Sequence, residues 1–427
     1  MKLNYRQTFF IGLAFMSICA FWQLYDNIIP KILSDTFHLG ETKTGAIMAI
    51  DNVLALFMLP MFGSFSDRIH TKLGKRTPFI IVGTILSVIF MTLIPIADKN
   101  TNFFLFFISL GALLIAMGSY RTPAVALMPD VTPKPLRSKA NSIINLMGTL
   151  GAIFTLIMMR ILIAKVSRPD YSIVFFTVSA LMVFAVILLV ITVRENNLVK
   201  KIKELDVDSI EMNKYETKLE NDSLPPEVKR SLIFILASIF LWFTAYNAVT
   251  TAFSRYATKV WGLQGGGFAD ALLVATGAAM VSYIPIGFIS SKIGRKKTVI
   301  SGIILMSISY FMGLFLIHYS PVIFVVFAFT GIGWAAINVN SYPMVVDMSH
   351  GSNIGKYTGL YYVFSMTAQI ITPILSGALL ENVSYRTLFP YSLIFSVLSL
   401  CTMIFVKHGD SKPVKKTNAL ENFDIDD

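Results

Sequence analysis

Charge is scarce in this 427-residue chain. Asp, Glu, Lys and Arg make up 14% of it, against about 25% in soluble domains. That deficit excludes a water-coated globule, because too few polar side chains remain to cover one. Cysteine is nearly absent: Cys19 and Cys401 are the only two, and both fall inside apolar runs, which argues against a disulfide framework. The five histidines lie in loops or at the ends of runs, which argues against a buried histidine relay. No HExxH, CxxC or GxSxG spacing occurs to carry metal, redox or acyl-transfer chemistry. A phosphate-binding loop is missing too, so the chain offers no site for spending nucleotide energy.

What the chain has is hydrocarbon. Hydrophobic residues make up 55% and mean hydropathy is +0.66. The apolar residues gather into runs of about 20, the length that crosses a bilayer as a helix. Twelve such runs are predicted as helical spans, near 8–30, 43–66, 78–97, 102–128, 139–162, 171–193, 231–253, 267–290, 298–318, 321–346, 354–380 and 385–406. The expected fold class is an all-α polytopic membrane protein. The first run is of full spanning length and lacks a small-residue cleavage site, so it reads as a span and not as a signal peptide.

The charged stretch 194–230 divides the spans six and six. The expected organisation is an N-terminal half (1–193), a cytoplasmic linker (194–230), a C-terminal half (231–407) and a cytoplasmic tail (408–427). Paired six-span halves are an arrangement known among secondary transporters. The net charge of +11 does not point to nucleic acid, because no soluble domain is left to host such binding. Lys and Arg concentrate instead in the even loops and the tails, which places both termini in the cytoplasm of a plasma (inner) membrane protein.

Against this apolar background, embedded polar residues stand out, because a charge facing lipid costs several kcal/mol and normally faces the protein interior or an aqueous cavity. Asp26, Asp51 and Arg121 qualify. In FWQLYDN (21–27), Trp22 and Asp26 are one helical turn apart, and Gln23 and Asn27 form an adjacent pair. An indole face beside amides and a carboxylate suits a sugar: the ring face stacks, and the hydroxyls are hydrogen-bonded. Tyr25 belongs to the same cluster, although Trp22 or Tyr25 alone would also read as an interfacial belt residue. LWFTAYN on the seventh span repeats the pattern with Trp242, Tyr246 and Asn247. The tenth span adds Trp334 and Asn338. Asp130, Asp270 and Asp347 lie near span ends, where capping or snorkelling explains them. Asn145, Gly148 and Ala152 form a stripe suited to tight helix packing.

The loop after the second span reads GSFSDRIHTKLGKRTPFI (63–80), with Gly63, Asp67, Arg68, Gly74, Lys75 and Arg76. Its counterpart after the eighth span, GFISSKIGRKK (287–297), repeats Gly287, Gly294 and Arg295 but has Ser291 in place of the aspartate. Basic loops alone could be topology signals, but glycine at matching places in both halves calls for more. The Gly-x-x-x-Asp-Arg pattern resembles the signature loop of the major facilitator superfamily. The spacing Ser-Asp-Arg, five residues, Gly-basic-basic-x-Pro-Phe resembles the sucrose–proton symporters, relatives of the glycoside–pentoside–hexuronide cation symporters. The phrase at 121–153 is similar to bacterial members of that group.

The resemblance implies a twelve-helix transporter with alternating access, with these loops acting as a latch between the halves. It implies proton-coupled symport of a disaccharide or glucoside such as sucrose or maltose, by a monomer needing no cofactor. Ala55 and Leu59 stand where melibiose-type sodium symporters carry carboxylates, so sodium coupling is less favoured than a proton gradient. Asp26 or Asp51, with Arg121 as intermittent partner, is expected to take and release the proton; which of the two does so is left open. Val125 stands where plant sucrose carriers place an arginine, one turn beyond Arg121. An efflux antiporter for drugs or metabolites is the alternative on the same fold. A polytopic membrane enzyme or receptor is less favoured.

Overall fold

The computed structural model describes residues 4–132, 137–166, 168–200, 225–346, 348 and 354–410. Among them are twelve helices long and apolar enough to cross a membrane, and no sheet beyond one isolated bridge, Thr71 to Gly74. They are α1 Tyr5–Lys31, α2 Glu41–Arg68, α3 Thr77–Lys99, α4 Phe103–Asp130, α5 Arg137–Leu162, α6 Ser172–Thr192, α7 Pro226–Trp261, α8 Ala269–Ile293, α9 Arg295–Leu314, α10 Val322–Val346, α11 Ile354–Asn382 and α12 Leu388–Ile404. The protein is an all-α polytopic membrane protein. In hydrocarbon a backbone must satisfy its own polar groups, and helices do so within a single segment.

Local chemistry sets the ends. Asn4 and Asn102 accept backbone N–H groups at the starts of α1 and α4, a usual role for Asn at that position. Pro30 lies near the end of α1, which passes into a π-helical turn, Ile32–Thr36. Gly262 closes α7 with φ 68°, a left-handed conformation that glycine adopts without strain.

Helix pairing repeats with an offset of six. α1 packs on α5 and α6 as α7 packs on α11 and α12, and α3 meets α4 and α6 as α9 meets α10 and α12. The close approach of α1 to α5 depends on Gly148, where an added Cβ would press on Phe15 and Cys19. Across the two sets, α2 packs on α11, its repeat-mate α8 on α5, and α1 on α7.

The main departure from expectation is α7. At one end it takes residues 226–230 from the expected linker. At the other it runs eight residues past 253, to Trp261. Those eight include Ser254, Arg255, Thr258 and Lys259, whose polarity lowers the hydropathy, while Arg255, Thr258 and Lys259 meet Glu41, Lys31 and Asp35 of other elements. Residues 201–224 of the linker, Asp347 and residues 411–427 of the tail lie outside the described residues.

Candidate functional site

Between the two sets of helices lies a cavity of about 240 Å³, lined by Trp22, Asp26, Met48, Asp51, Asn52, Arg121, Asn247, Thr251, Gln369 and Pro373. Its charged wall comes from α1, α2 and α4, and its amide and hydroxyl groups come mainly from α7 and α11. Asn52 donates to Asp51 Oδ1 at 2.8 Å. Asp26 makes no hydrogen bond or ion pair with any described residue. Arg121 forms none with a carboxylate either; its guanidinium carbon lies 5.3 Å from the centre of the Trp22 ring, in cation–π range. The expected pairing of Arg121 with an aspartate is therefore not made in this conformation.

The structure thus brings together five of the residues singled out from the sequence: Trp22, Asp26, Asp51, Arg121 and Asn247. The others lie elsewhere. Tyr25 is buried and donates to the Met48 carbonyl at 3.3 Å. Gln23 accepts Asn27 Nδ2 through its backbone carbonyl at 3.0 Å, and Asn27 itself is buried. Trp242 is 0% exposed, in the main apolar core, so the two tryptophans do not share a cavity. Helical geometry explains this: Trp242 and Asn247 are five positions apart, about 140° around the axis, and α7 turns the Asn247 side inward. Tyr246 stacks on Trp334, centroids 3.9 Å apart with planes 5° from parallel, which makes the pair an internal prop instead of a cavity wall. Asn338, on α10, is not among the residues lining the cavity.

Asn52, Thr251 and Gln369 were missed by sequence reasoning. Asn52 and Thr251 were legible in principle, as polar residues within apolar stretches one and four positions from residues already chosen. Gln369 had no such neighbour.

One end of the bundle joins the two sets of helices. Arg255 Nε donates to Glu41 Oε2 at 2.6 Å, with side chains only 6% and 4% exposed, and Tyr385 Oη donates to Glu41 Oε1 at 2.5 Å. Lys31 donates to Thr258 at 2.8 Å, Arg160 to Asp270 at 2.6 Å, and the Thr42 amide to Glu381 at 2.8 Å. Asp270 is thus an ion-pair partner and not a simple cap. Two close approaches tighten the same end: a Cβ at Gly45 on α2 would overlap the Pro373 carbonyl, and one at Gly266, in the turn before α8, the Met159 carbonyl.

At the opposite end, where residues 4, 195, 225 and 410 lie, the signature loop is tied only to its own set of helices. Arg76 donates to Asp130 at 2.7 Å and also to Asp67 and Ser66. Lys75 lies 3.1 Å from Asp130. Buried Glu195, missed from the sequence, accepts the Lys75, Arg76 and Thr77 amides at 2.9–3.1 Å. Gly74 at φ 121° makes room, since a Cβ there would strike the Glu195 carboxylate. Gly63 accepts from Arg76 at 3.4 Å, and Arg68 is exposed. In the second loop, Gly294 at φ 95° precedes Arg295, the first residue of α9, and Asp410 accepts the Lys296 amide at 3.2 Å. Gly287 faces open space. Among the described residues, the contacts given above for the first loop stay within its own set of helices, and Asp410 ties the second loop to the C-terminal set.

The sequence profile of the Major Facilitator Superfamily matches residues 11–284 and 265–423. An uncharacterised MFS-type transporter of Methanocaldococcus jannaschii is 23% identical over 391 residues, 89% of either chain. Among solved structures, a POT family transporter in complex with 5-aminolevulinic acid superimposes with a TM-score of 0.71 at 11% identity, covering 94% of this chain and 95% of that one. The inward open xylose transporter XylE of E. coli does so with a TM-score of 0.69 at 13% identity, covering 96% of each. At such identities the likeness is one of fold.

Proposed function

The chain belongs to the major facilitator superfamily, and from that premise we propose that it carries a sugar together with a proton. It is a multi-pass membrane transporter for a small solute, not an enzyme. The observation that carries the finer reading is the meeting of Asp26, Asp51 and Arg121 with Asn247 and Gln369 in one cavity between the two sets of helices. Amides and carboxylates around a small polar space suit a polyhydroxy solute. With all three charged groups ionised, the wall carries one negative charge in excess. One proton cancels it, and a neutral cavity is far cheaper to occlude inside a membrane than a charged one. Sodium has less support, given Ala55 and Leu59 on α2.

The positive-inside pattern supports cytoplasmic termini in a plasma (inner) membrane protein. Repeated helix pairing supports two six-helix halves, the second opening with α7 at Pro226; we propose that they work as a monomer. Uptake of labelled sucrose, maltose and xylose into proteoliposomes tests the reading. An inward proton gradient should drive accumulation of at least one of them, and a sodium gradient should not. Asp26→Asn or Asp51→Asn should abolish accumulation and leave exchange measurable, since an amide keeps hydrogen bonds and loses titration. Proton-driven dye efflux without sugar uptake would replace this reading with the efflux antiporter.

A further inference from the structure

The loops that open α3 and α9 are built alike and finished differently. Gly74-Lys75-Arg76 in the first matches Gly294-Arg295-Lys296 in the second. Glu195 accepts backbone N–H groups at the start of α3, as Asp410 does at the start of α9. In the first loop the cations are engaged: Arg76 pairs with Asp67 and Asp130, and Lys75 with Asp130. The chain leaving α6 also covers that loop, because Asn196 donates to the Thr71 and Lys72 carbonyls at 3.0 Å.

The second loop leaves cations without acids. Lys296, the mate of Arg76, gives one Nζ hydrogen to the Ile404 carbonyl at 2.9 Å, and Ser291 stands in the place of Asp67. Lys296 and Lys407 line a pocket of about 610 Å³ beside His408 and Asp410. Among the described residues no carboxylate lies within 4.0 Å of either ammonium. Asp410 Oδ1 accepts the Lys296 backbone N–H instead, at 3.2 Å. Ser231 Oγ accepts the Lys407 N–H at 3.1 Å and meets His408 Nδ1 at 2.9 Å, which ties the pocket to the start of α7. Next to Ser231, Arg230 is exposed and lies 5.8 Å from the centre of the Phe234 ring, which stacks on Phe405. Ile233, Ile404 and Phe405 are exposed at the same ends of α7 and α12.

Unpaired cations beside bare hydrocarbon side chains match the two parts of a phospholipid. We propose that this pocket holds the phosphodiester of an anionic phospholipid, phosphatidylglycerol in chemistry, with its acyl chains along Ile233, Ile404 and Phe405. Lys296, Lys407 and Arg230 receive the phosphate oxygens through charge-assisted hydrogen bonds. The apolar side chains accept the tails of any lipid, so the headgroup decides. A choline headgroup brings its own cation, which these three repel, and a glycerol headgroup brings none. Basic pockets between helices at this face bind anionic headgroups, with about fivefold in affinity from each cation near the surface. Cations serving topology alone need only lie on this side of the membrane; they would attract anionic lipid all round, with no preferred place.

Native mass spectrometry of the detergent-solubilised full chain tests this, with phosphatidylglycerol and phosphatidylcholine of the same acyl chains offered in equal amounts. The first lipid retained should be phosphatidylglycerol, by about tenfold or more. That comparison needs no variant. Arg230→Gln, Lys296→Gln and Lys407→Gln together should bring the ratio below about twofold. Arg6→Gln, Lys72→Gln and Lys200→Gln together remove the same charge from exposed positions elsewhere and should leave the parental ratio. Equal retention of the two lipids, or equal loss in the two triple variants, would overturn the proposal and leave only the general attraction of a basic surface. Displacement of phosphatidylglycerol by glycerol 3-phosphate at equal concentration would give the pocket to a soluble phosphate and overturn it too. So would a preference that appears only with Glu421→Gln, Asp424→Asn, Asp426→Asn and Asp427→Asn in the full chain, since the acidic end of the chain would then be the occupant.

Discussion

The two ends of the bundle are held in opposite ways. At the Glu41–Arg255 end, hydrogen bonds and ion pairs run from one set of helices to the other. At the Arg76–Asp130 end, ion pairs of similar length stay within one set. Alternating access requires the first kind to break and the second to persist, because each half must move as a body while the joint between halves opens. Buried charges suit the first task. They are strong only while water is excluded and lose much of their strength once the gap hydrates. The signature loop does the second task, locking α2, α3, α4 and Glu195 into one unit.

The largest effect is expected at the buried joint. Glu41→Gln leaves Arg255, 6% exposed, without its anion, and breaking a buried pair from one side costs about 3–5 kcal/mol. That cost falls on the conformation closed at this end. A cysteine placed at Thr44, fully buried beside the joint, should then react with a membrane-impermeant thiol reagent more than about a hundredfold faster, at about 1.4 kcal/mol per tenfold. The background carries Cys19→Ser and Cys401→Ser. An unchanged rate would mean that Glu41 and Arg255 do not hold this end shut.

Much of the fold was legible because hydropathy reports hydrocarbon length directly, and all twelve helices lie where the runs predict. The joint was not. Glu41 and Arg255 are 214 positions apart, and each looks like an ordinary polar residue at a span end. The hydropathy of α7 fades before Arg255 because its last turns are polar toward protein, not toward water. The site was half legible for a related reason. Embedded charges announce a cavity, which is how Asp26, Asp51 and Arg121 were found. The rotation of a helix about its axis is set by packing, and no aromatic pattern reveals it. Trp242 therefore looked like the mate of Trp22 and sits in the core, while Asn247 faces inward. The same holds for Arg121, whose rest on Trp22 depends on how α1 and α4 meet.

A middle-sized effect is expected at the two close approaches. Gly45→Ala drives a methyl group into the Pro373 carbonyl, and Gly266→Ala drives one into the Met159 carbonyl. Overpacking of this kind costs about 1–3 kcal/mol, borne again by the conformation closed at that end. Both variants should raise Thr44→Cys labelling by about tenfold to a hundredfold, and by similar amounts, since the packing of α2 on α11 and of α8 on α5 are repeat-mates. Gly277→Ala is the control, because a Cβ there meets nothing within 4 Å. A response at one approach and none at the other would break the symmetry and point to a one-sided hinge.

The smallest effect is expected at the other end. Asp67 is 57% exposed and shares Arg76 with Asp130, which stays 2.7 Å from Arg76 Nε. Asp67→Asn therefore removes one of two anions and leaves Arg76 paired, held also by Ser66 and Gly63. Solvent-exposed pairs contribute about 0–1 kcal/mol, and this one acts inside a single half. The variant should lower thermal stability slightly and leave Thr44→Cys labelling within severalfold of the parent. Added salt should weaken even that small stability difference, because exposed charges are screened. A large change in labelling from Asp67→Asn would show that the signature loop reaches across to the other half after all, and the contrast between the two ends would have to be given up.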